Sequence, residues 1–505
     1  MACLLGIDVS TTASKAVLLS DGGVVVGVAS TPHSISTPRP LWSEQDPEMW
    51  WGAVRSSIRE VVAAADPGRV GDIAAIGLTG QMHGLVVLDN RNEVLRPAIL
   101  WDDQRSAEEC DEIRARITFD ELVRLTGNDA FPGFTLPKLL WVRNHEPETF
   151  AKVARVLLPK DYIRYKLSGE FATDKAGAGG TLMLDLARRE WSPEITTAFD
   201  IPADWLPETF EGTSVTSTVR DEIARETGLP RGLVIVGGGG DQSAQAVGVG
   251  AIDAGVVSVS LGTSGVVFAG SSEPLYDPKG AAHAFPHAVP GRWHMMGVML
   301  SAAGSLRWYH DNFAPDIGYD ELIAEAETVS PGCDGLYFMP YLSGERTPHA
   351  DPLVRGAFVG LTHVHRRAHA ARAVLEGVAY GLRDNLDLLL RAGVDRPDVI
   401  RVSGGGARSG AWLQIVSDVM GVPLVTVESS EGAAVGAAML AGVGVGVWPD
   451  AQSAAQACVR LDSEVEPDQI RIGEYEERIG HFRGLYKVLA PFYRASITKG
   501  MERTA

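Results

Sequence analysis

LLGIDVSTTASKAVLLS, from Leu4 to Ser20, reads as an apolar strand, a turn of small hydroxyl residues and a second apolar strand. The same grammar returns past the middle of the chain as VVSVSLGTSGVVFAG, Val256 to Gly270. Turns of this kind gather backbone N–H and hydroxyl donors into one small concavity, which suits an anion without needing many lysines. Two such hairpins in two halves predict a nucleotide clamped between two related domains. Asp8 ends the first strand, just before Ser10, Thr11 and Thr12, so its carboxylate stands where a magnesium ion or its waters would need it. A turn or cap role is the competing reading for an isolated Asp. Lys15 is read equally as a phosphate contact or a solvated hairpin charge.

With 505 residues the chain exceeds one ordinary core, and the doubled motif favours two domains. Hydrophobic content of 45% and charged content of 22% predict buried apolar layers rather than disorder. The net charge of −19 opposes a nucleic-acid or anionic-membrane surface, so no nucleic-acid or membrane partner is expected and a phosphate ligand must be held by local dipoles. Cys3, Cys110, Cys333 and Cys458 lack metal or disulfide spacing, which fits a reducing, cytoplasmic setting. The uncharged run Ala433 to Trp448 is too short and too glycine-rich to span a membrane and reads as a buried helix.

Working outward, Val24 to Ala29 supplies a third strand and Asp46 caps a helix with Pro47 in first position. Strands follow at Ile73 to Leu78 and Leu85 to Leu88. The second half repeats the order with a helix from about 370 to 392, strand Val399 to Ser403, glycines 404 to 406, a helix from about 409 to 420, and strand Val422 to Val427. One amphipathic helix is expected near Tyr475 to Tyr493, before a frayed tail.

Glycines 237 to 240 follow the buried strand Leu233 to Val236, and Asp241 comes next, at the lip of the sheet where folds of this class bind ligands. Asp241 is a candidate general base; a helix N-cap is the alternative. No Gly-Lys dipeptide occurs, which excludes a Walker A loop. The glycine clusters lack the dinucleotide fingerprint, no G-x-S-x-G elbow is present, and Pro286 separates His283 from His287, so neither an NAD enzyme, a serine hydrolase nor a transition-metal site is indicated. Gln81, Met82 and His83 combine polar and pliable apolar groups at a strand end, and Trp101 stands beside Asp102 and Asp103. An aromatic platform with carboxylates suits a neutral sugar.

Taken together these segments resemble the FGGY carbohydrate kinases. The likeness rests on LWSEQDPEMWW (41–51), GQMHG (80–84), PAILWDDQR (97–105), GFTLPKLLWV (133–142), SLGTSG (260–265), YLSGERTPH (341–349) and SGGGARS (403–409). The resemblance implies an α/β fold of two actin-like ATPase, ribonuclease H-like domains, residues 1–247 and 248–505, closing over ATP and a sugar with Mg²⁺. It implies Asp241 as the base, Asp8 beside the metal, and Gln81, Met82, His83, Trp101 and Asp103 at the sugar. The nucleotide falls to Thr11, Thr12, Lys15, Gly262, Thr263, Ser264, Gly405, Gly406 and Ser409. The expected partners are a ketose and ATP, with a homodimer the one assembly considered. The expected reaction is transfer to a ketopentose, D-xylulose before D-ribulose or L-ribulose; a sugar sensor without transfer chemistry is the reading from another class. Ser10 stands where such kinases usually have Gly. Glu345 and Arg346 are assigned nothing beyond an ion pair or loop clamp.

Overall fold

A computed structural model describes residues 2–428 and 431–501. Seven strands build the first sheet: β1 (Cys3–Val9), β2 (Ala13–Ser20), β3 (Val25–Pro32), β4 (Ile73–Gly80), β5 (Val215–Thr218), β6 (Val234–Val236) and β7 (Gly239–Gly240). Their order is β5-β6-β4-β1-β2-β3, with β7 continuing beside β4. The first three strands are an antiparallel meander, and β4 and β6 add in parallel.

The second sheet holds β8 (Val257–Leu261), β9 (Gly265–Ser271), β10 (His283–Pro286), β11 (Trp293–Met299), β12 (Ile400–Ser403), β13 (Leu424–Val427) and β14 (Leu461–Val465). Its order is β10-β11-β9-β8-β12-β13-β14. Setting β8 on β1, β9 on β2, β11 on β3, β12 on β4 and β13 on β6 reproduces both the order and the directions of the first sheet. That coincidence is the doubled actin-like, ribonuclease H-like architecture.

The helices that position the site are α1 (Pro47–Ala64), α2 (Thr135–His145), α3 (Pro159–Ser168), α4 (Asp241–Gly248), α5 (Ala303–Phe313), α6 (Arg367–Arg391), α7 (Gly410–Met420), α8 (Gly432–Gly444) and α9 (Gln469–Met501). Asp46 caps α1 as its sequence position requires, accepting from Glu48 N at 2.9 Å. The apolar stripe Trp50, Val54, Ile58 and Val61 is buried against the first sheet. The strand expected at Leu85 to Leu88 is present at Val86–Leu88 but pairs with Arg155–Leu157 outside both main sheets. At the other end α9 continues through Pro491 to Met501, so the tail expected to fray after Tyr493 is helical that far, and residues 502–505 lie outside the described residues.

One helix ties the halves together. The apolar, glycine-rich α8 follows β13 in the chain yet packs on β1 and β4 of the first sheet and along α4. The approach is backbone to backbone: a Cβ on Gly6 would stand 1.9 Å from the Ala434 carbonyl oxygen, and one on Gly77 1.9 Å from that of Ala437. No side chain larger than hydrogen fits there.

Candidate active site

Strand register places the site. Val9 of β1 and Gly240 of β7 both pair with Gly80 of β4, so three parallel strands end level and their next residues are Ser10, Gln81 and Asp241. Asp8 sits one residue inside this edge. The level ends bring two carboxylates from distant parts of the sequence to one lip. Burial, then the neighbouring Asp8 charge, pushes the Asp241 carboxyl up to about 7. Burial also pushes Asp8 up to about 6, with Lys15 pulling against it and Glu431 adding to it. Oδ1 of Asp8 is buried without a hydrogen-bond partner.

Asp241 is not the cap of its helix. Gly240 holds the N-cap position of α4, no side chain caps it, and Asp241 Oδ1 accepts from the adjacent Gln242 N at 2.7 Å. The alternative reading of this residue therefore lacks the geometry it needs.

Both carboxyls keep their protons to higher pH in the folded chain than in the unfolded one. Any stability they contribute is full below about pH 4 and is lost as pH rises through about 6 and 7. The metal-free, ligand-free protein is expected to lose thermal stability between about pH 5 and about pH 8, and Asp8→Asn to lose less. Parallel melting profiles for the two proteins across that range contradict the coupling.

Asp241 also lines a cavity of about 650 Å³ that both halves share. Gln242 and Gln245 come from α4, Gly405 and Arg408 from the turn after β12, and Thr426 and Glu428 from the end of β13. That volume accommodates a nucleotide-sized ligand. The two hairpin turns flank the lip. In the first, Ser10 N donates to Ala13 O at 3.0 Å and Thr12 is exposed. In the second, Gly262 and Thr263 accept through their carbonyls from Ala302, Ala303 and Gly304 at the start of α5, while Thr263 Oγ1 accepts from Arg307 at 2.8 Å. Ser264 is exposed beside them.

Several expected contacts are engaged elsewhere. Lys15, its side chain 30% exposed, forms an ion pair with Glu431 beside the start of α8. Gly406 is packed, a Cβ there meeting Leu261 Cγ at 2.6 Å, whereas Gly405 is open to the cavity. Ser409 caps α7 by accepting from Trp412 N at 3.2 Å.

On the sugar side, His83 has φ of 68°, a left-handed conformation that costs a non-glycine residue about 1–3 kcal/mol and needs support. Its carbonyl accepts from Thr135 Oγ1 at 2.9 Å and from Lys138 Nζ at 3.1 Å. Its Nδ1 lies 2.6 Å from Gly180 O, which as an acceptor requires the proton on Nδ1. Burial holds the ring neutral, at about 3, so Nε2 is a pure acceptor. Met82 is buried beneath it, against Gly180 and Gly240.

Trp101 gives its indole N–H to Thr11 Oγ1 at 3.0 Å, linking the aromatic platform to the first turn. Two expected substrate contacts point inward instead. Asp103 is fully buried, with its oxygens taken by Arg105 and by Ser43 N at 2.6 Å. Gln81 is 2% exposed and its amide donates to Gln45 Oε1 at 3.2 Å. Each fixes a loop from behind, because a buried carboxylate or amide must satisfy its own hydrogen bonds before a ligand's. Asp102, by contrast, is exposed and lines an open cavity of about 610 Å³ with Thr37, Arg39 and Trp42.

Lys138 escapes a reading by motif. It is wholly buried in α2, donates to Gly133 O at 2.6 Å as well as to His83 O, and is pulled down to about 7 by burial. A lone cation inside the apolar run GFTLPKLLWV was the signal available. Among the described residues, no group of three or more His, Cys, Asp and Glu side chains could hold a metal, and no helix is long and apolar enough to cross a membrane.

Residues 3–248 match the FGGY family of carbohydrate kinases, N-terminal domain, and residues 257–445 match its C-terminal domain. The chain is 44% identical to the xylulose kinase of Escherichia coli K12, over 96% of this chain and 99% of that one. A crystal structure of a xyloylose kinase from Brucella ovis superposes with a TM-score of 0.91 at 39% identity, covering 97% of this chain and all of that one. The xylulose kinase structure from Rhodospirillum rubrum gives a TM-score of 0.91 at 32% identity, with 97% and 100% covered.

Proposed function

This chain belongs to the FGGY family of carbohydrate kinases, and we propose that it transfers the γ-phosphoryl group of ATP to the 5-hydroxyl of D-xylulose. Its similarity to enzymes named xylulose kinase extends over nearly their whole length. The observation that carries the chemistry is the level ending of β1, β4 and β7, which sets Asp241 beside Asp8 at the mouth of the shared cavity.

Asp241 accepts the proton of the attacking hydroxyl. A base poised near 7 combines a useful ionised fraction at neutral pH with a real appetite for that proton. His83 Nε2 accepts from a second sugar hydroxyl, and Trp101 offers its face to the C–H side of the sugar. Asp8 fits a magnesium ion: its Oδ1 is a buried oxygen lacking a partner, and Mg²⁺ characteristically takes one or two carboxylates alongside phosphate and water. Bound there, the ion would neutralise charge on the nucleotide phosphates. The exposed Thr12 and Thr263 turns donate to phosphate oxygens from either side.

Steady-state ADP release across a panel of ketoses and aldonates tests the reading. D-xylulose is expected to give the highest kcat/KM; a preference for another sugar, or none, refutes it. The division of labour has its own check. Thr263→Val removes a hydroxyl held by Arg307, and the KM for ATP is expected to rise about tenfold, the worth of one charge-assisted hydrogen bond, with the KM for sugar unchanged. An equal rise in both constants contradicts a phosphate role for this turn.

A further inference from the structure

We propose that Arg346 is a sugar-binding residue, supplied across the cleft by the second half of the chain and donating to ketose oxygens beside the one that His83 reads. The inference rests on the sugar-kinase reading above and adds a contact to it.

The segment around Arg346 is fixed from three directions. Glu345 Oε1 accepts from Leu300 N at 3.0 Å and from Arg346 N at 2.8 Å. Thr347 Oγ1 accepts from Val298 N at 3.1 Å and donates to Ala281 O at 3.0 Å. Glu345 and Asp351 exchange a pair of backbone hydrogen bonds, at 2.9 and 2.8 Å. Glu345 therefore serves the loop backbone, and it forms no ion pair with the guanidinium next to it among the described residues.

Everything around Arg346 is held, yet its own side chain is not. Among the described residues the half-buried guanidinium has no hydrogen bond, ion pair or ring contact, and desolvation lowers its affinity for its proton. Other withdrawn guanidiniums each have at least one protein acceptor. Arg105 grips Asp103 and Glu44, Arg164 donates to the carbonyls of Val236 and Gly237, and Arg372 pairs with Glu376. A guanidinium on a fixed loop, without an acceptor among the described residues, is open to one that arrives from outside.

Its position names that acceptor. Arg346 reaches the first half of the chain, where a Cβ on Gly133 would stand 3.9 Å from its Nη2. Its charge is felt at His83, Lys138 and His283. Gly133 underlies the Trp101 carbonyl, and His83 is the residue assigned above to a sugar hydroxyl. No carboxylate of this wall is within ion-pair distance of Arg346. The site thus offers a sugar two complementary readers: Nε2 of His83, which only accepts, and the guanidinium fork, which only donates. Because one comes from each half, a bound sugar spans the cleft.

The test compares Arg346→Ala and Arg346→Lys with wild type in ketose-dependent ADP release, sugar-free ATP hydrolysis and thermal unfolding. The KM for ketose is expected to rise about 10- to 100-fold in Arg346→Ala, with sugar-free hydrolysis, the KM for ATP and the melting temperature held within narrow bounds. Added guanidinium ion is expected to restore part of the lost kcat/KM. Lysine recovers little, since an ammonium cannot reproduce the fork. An unchanged KM for ketose, a parallel rise in both KM values with a fall in melting temperature, or failure of guanidinium to rescue each overturns the proposal. A wild-type protein without ketose-dependent ADP release overturns the sugar-kinase reading and the inference with it, whereas an active wild type with an indifferent variant overturns the inference alone.

Discussion

Asp241→Asn lowers ketose-dependent turnover by about 10²-fold or more while ATP binding stays within a factor of about two, the loss expected when a general base can no longer take a proton. The substitution is isosteric, and the fold does not lean on the carboxylate: Gly240 is the cap of α4, and Asp241 accepts from its neighbour Gln242. A second consequence separates a catalytic role from a structural one. Burial, and then the Asp8 charge, raises the proton affinity of Asp241, so the amide removes a carboxylate whose ionisation the fold opposes. The variant is therefore expected to melt higher than wild type at about pH 8, where both carboxylates are otherwise charged, and to differ little at about pH 5. Initial rates within a few-fold of wild type, or a melting temperature lowered at both pH values, would falsify the assignment.

Gly6→Ala is expected to be strongly destabilising, costing about 3 kcal/mol, at the upper end of ordinary overpacking. The added carbon would lie 1.9 Å from the Ala434 carbonyl oxygen, 2.8 Å from its carbon and 3.2 Å from Ala438 Cβ. Those are backbone and stub atoms of a helix, so nothing flexible can swing aside and α8 must retreat from β1. The effect reaches ligand binding, because Ala433 at the start of α8 lines the shared cavity and Glu431 just before it anchors Lys15. Gly52→Ala is the matched control. It lies inside α1 with no atom within 4 Å of its new carbon, and is expected to stabilise by about 0.5–1 kcal/mol. Chemical unfolding of the three proteins, with and without ATP, measures both effects; equal stabilities for Gly6→Ala and wild type would show that α8 is not seated as described.

The contrast between these glycines marks how far the amino-acid sequence carries. Local pattern was enough for the two hairpins, the cap at Asp46, the glycine run before Asp241 and the buried helix within 433–448, because each is dictated by residues a few positions apart. The same locality made Asp8 and Asp241 legible as strand-end carboxylates. It did not reveal that they share a lip, which follows from the register of β1, β4 and β7.

Which way a polar side chain faces is decided at long range. Asp102 and Asp103 are neighbours of identical chemistry, yet one is exposed and the other is consumed by Arg105 and a backbone N–H brought from residue 43. Lys15 finds Glu431 some four hundred residues away, and Lys138 finds two carbonyls that only the folded turns present. The elements, their repetition and the two carboxylates that the chemistry turns on are written in local sequence. Long-range packing returns α8 to the first sheet, buries Gln81 and Asp103 behind the site, and leaves the Arg346 guanidinium without an acceptor among the described residues. The physical reason is that periodicity and turn chemistry act within a few residues, whereas hydrogen-bond satisfaction is settled among whichever groups packing brings within about 3 Å.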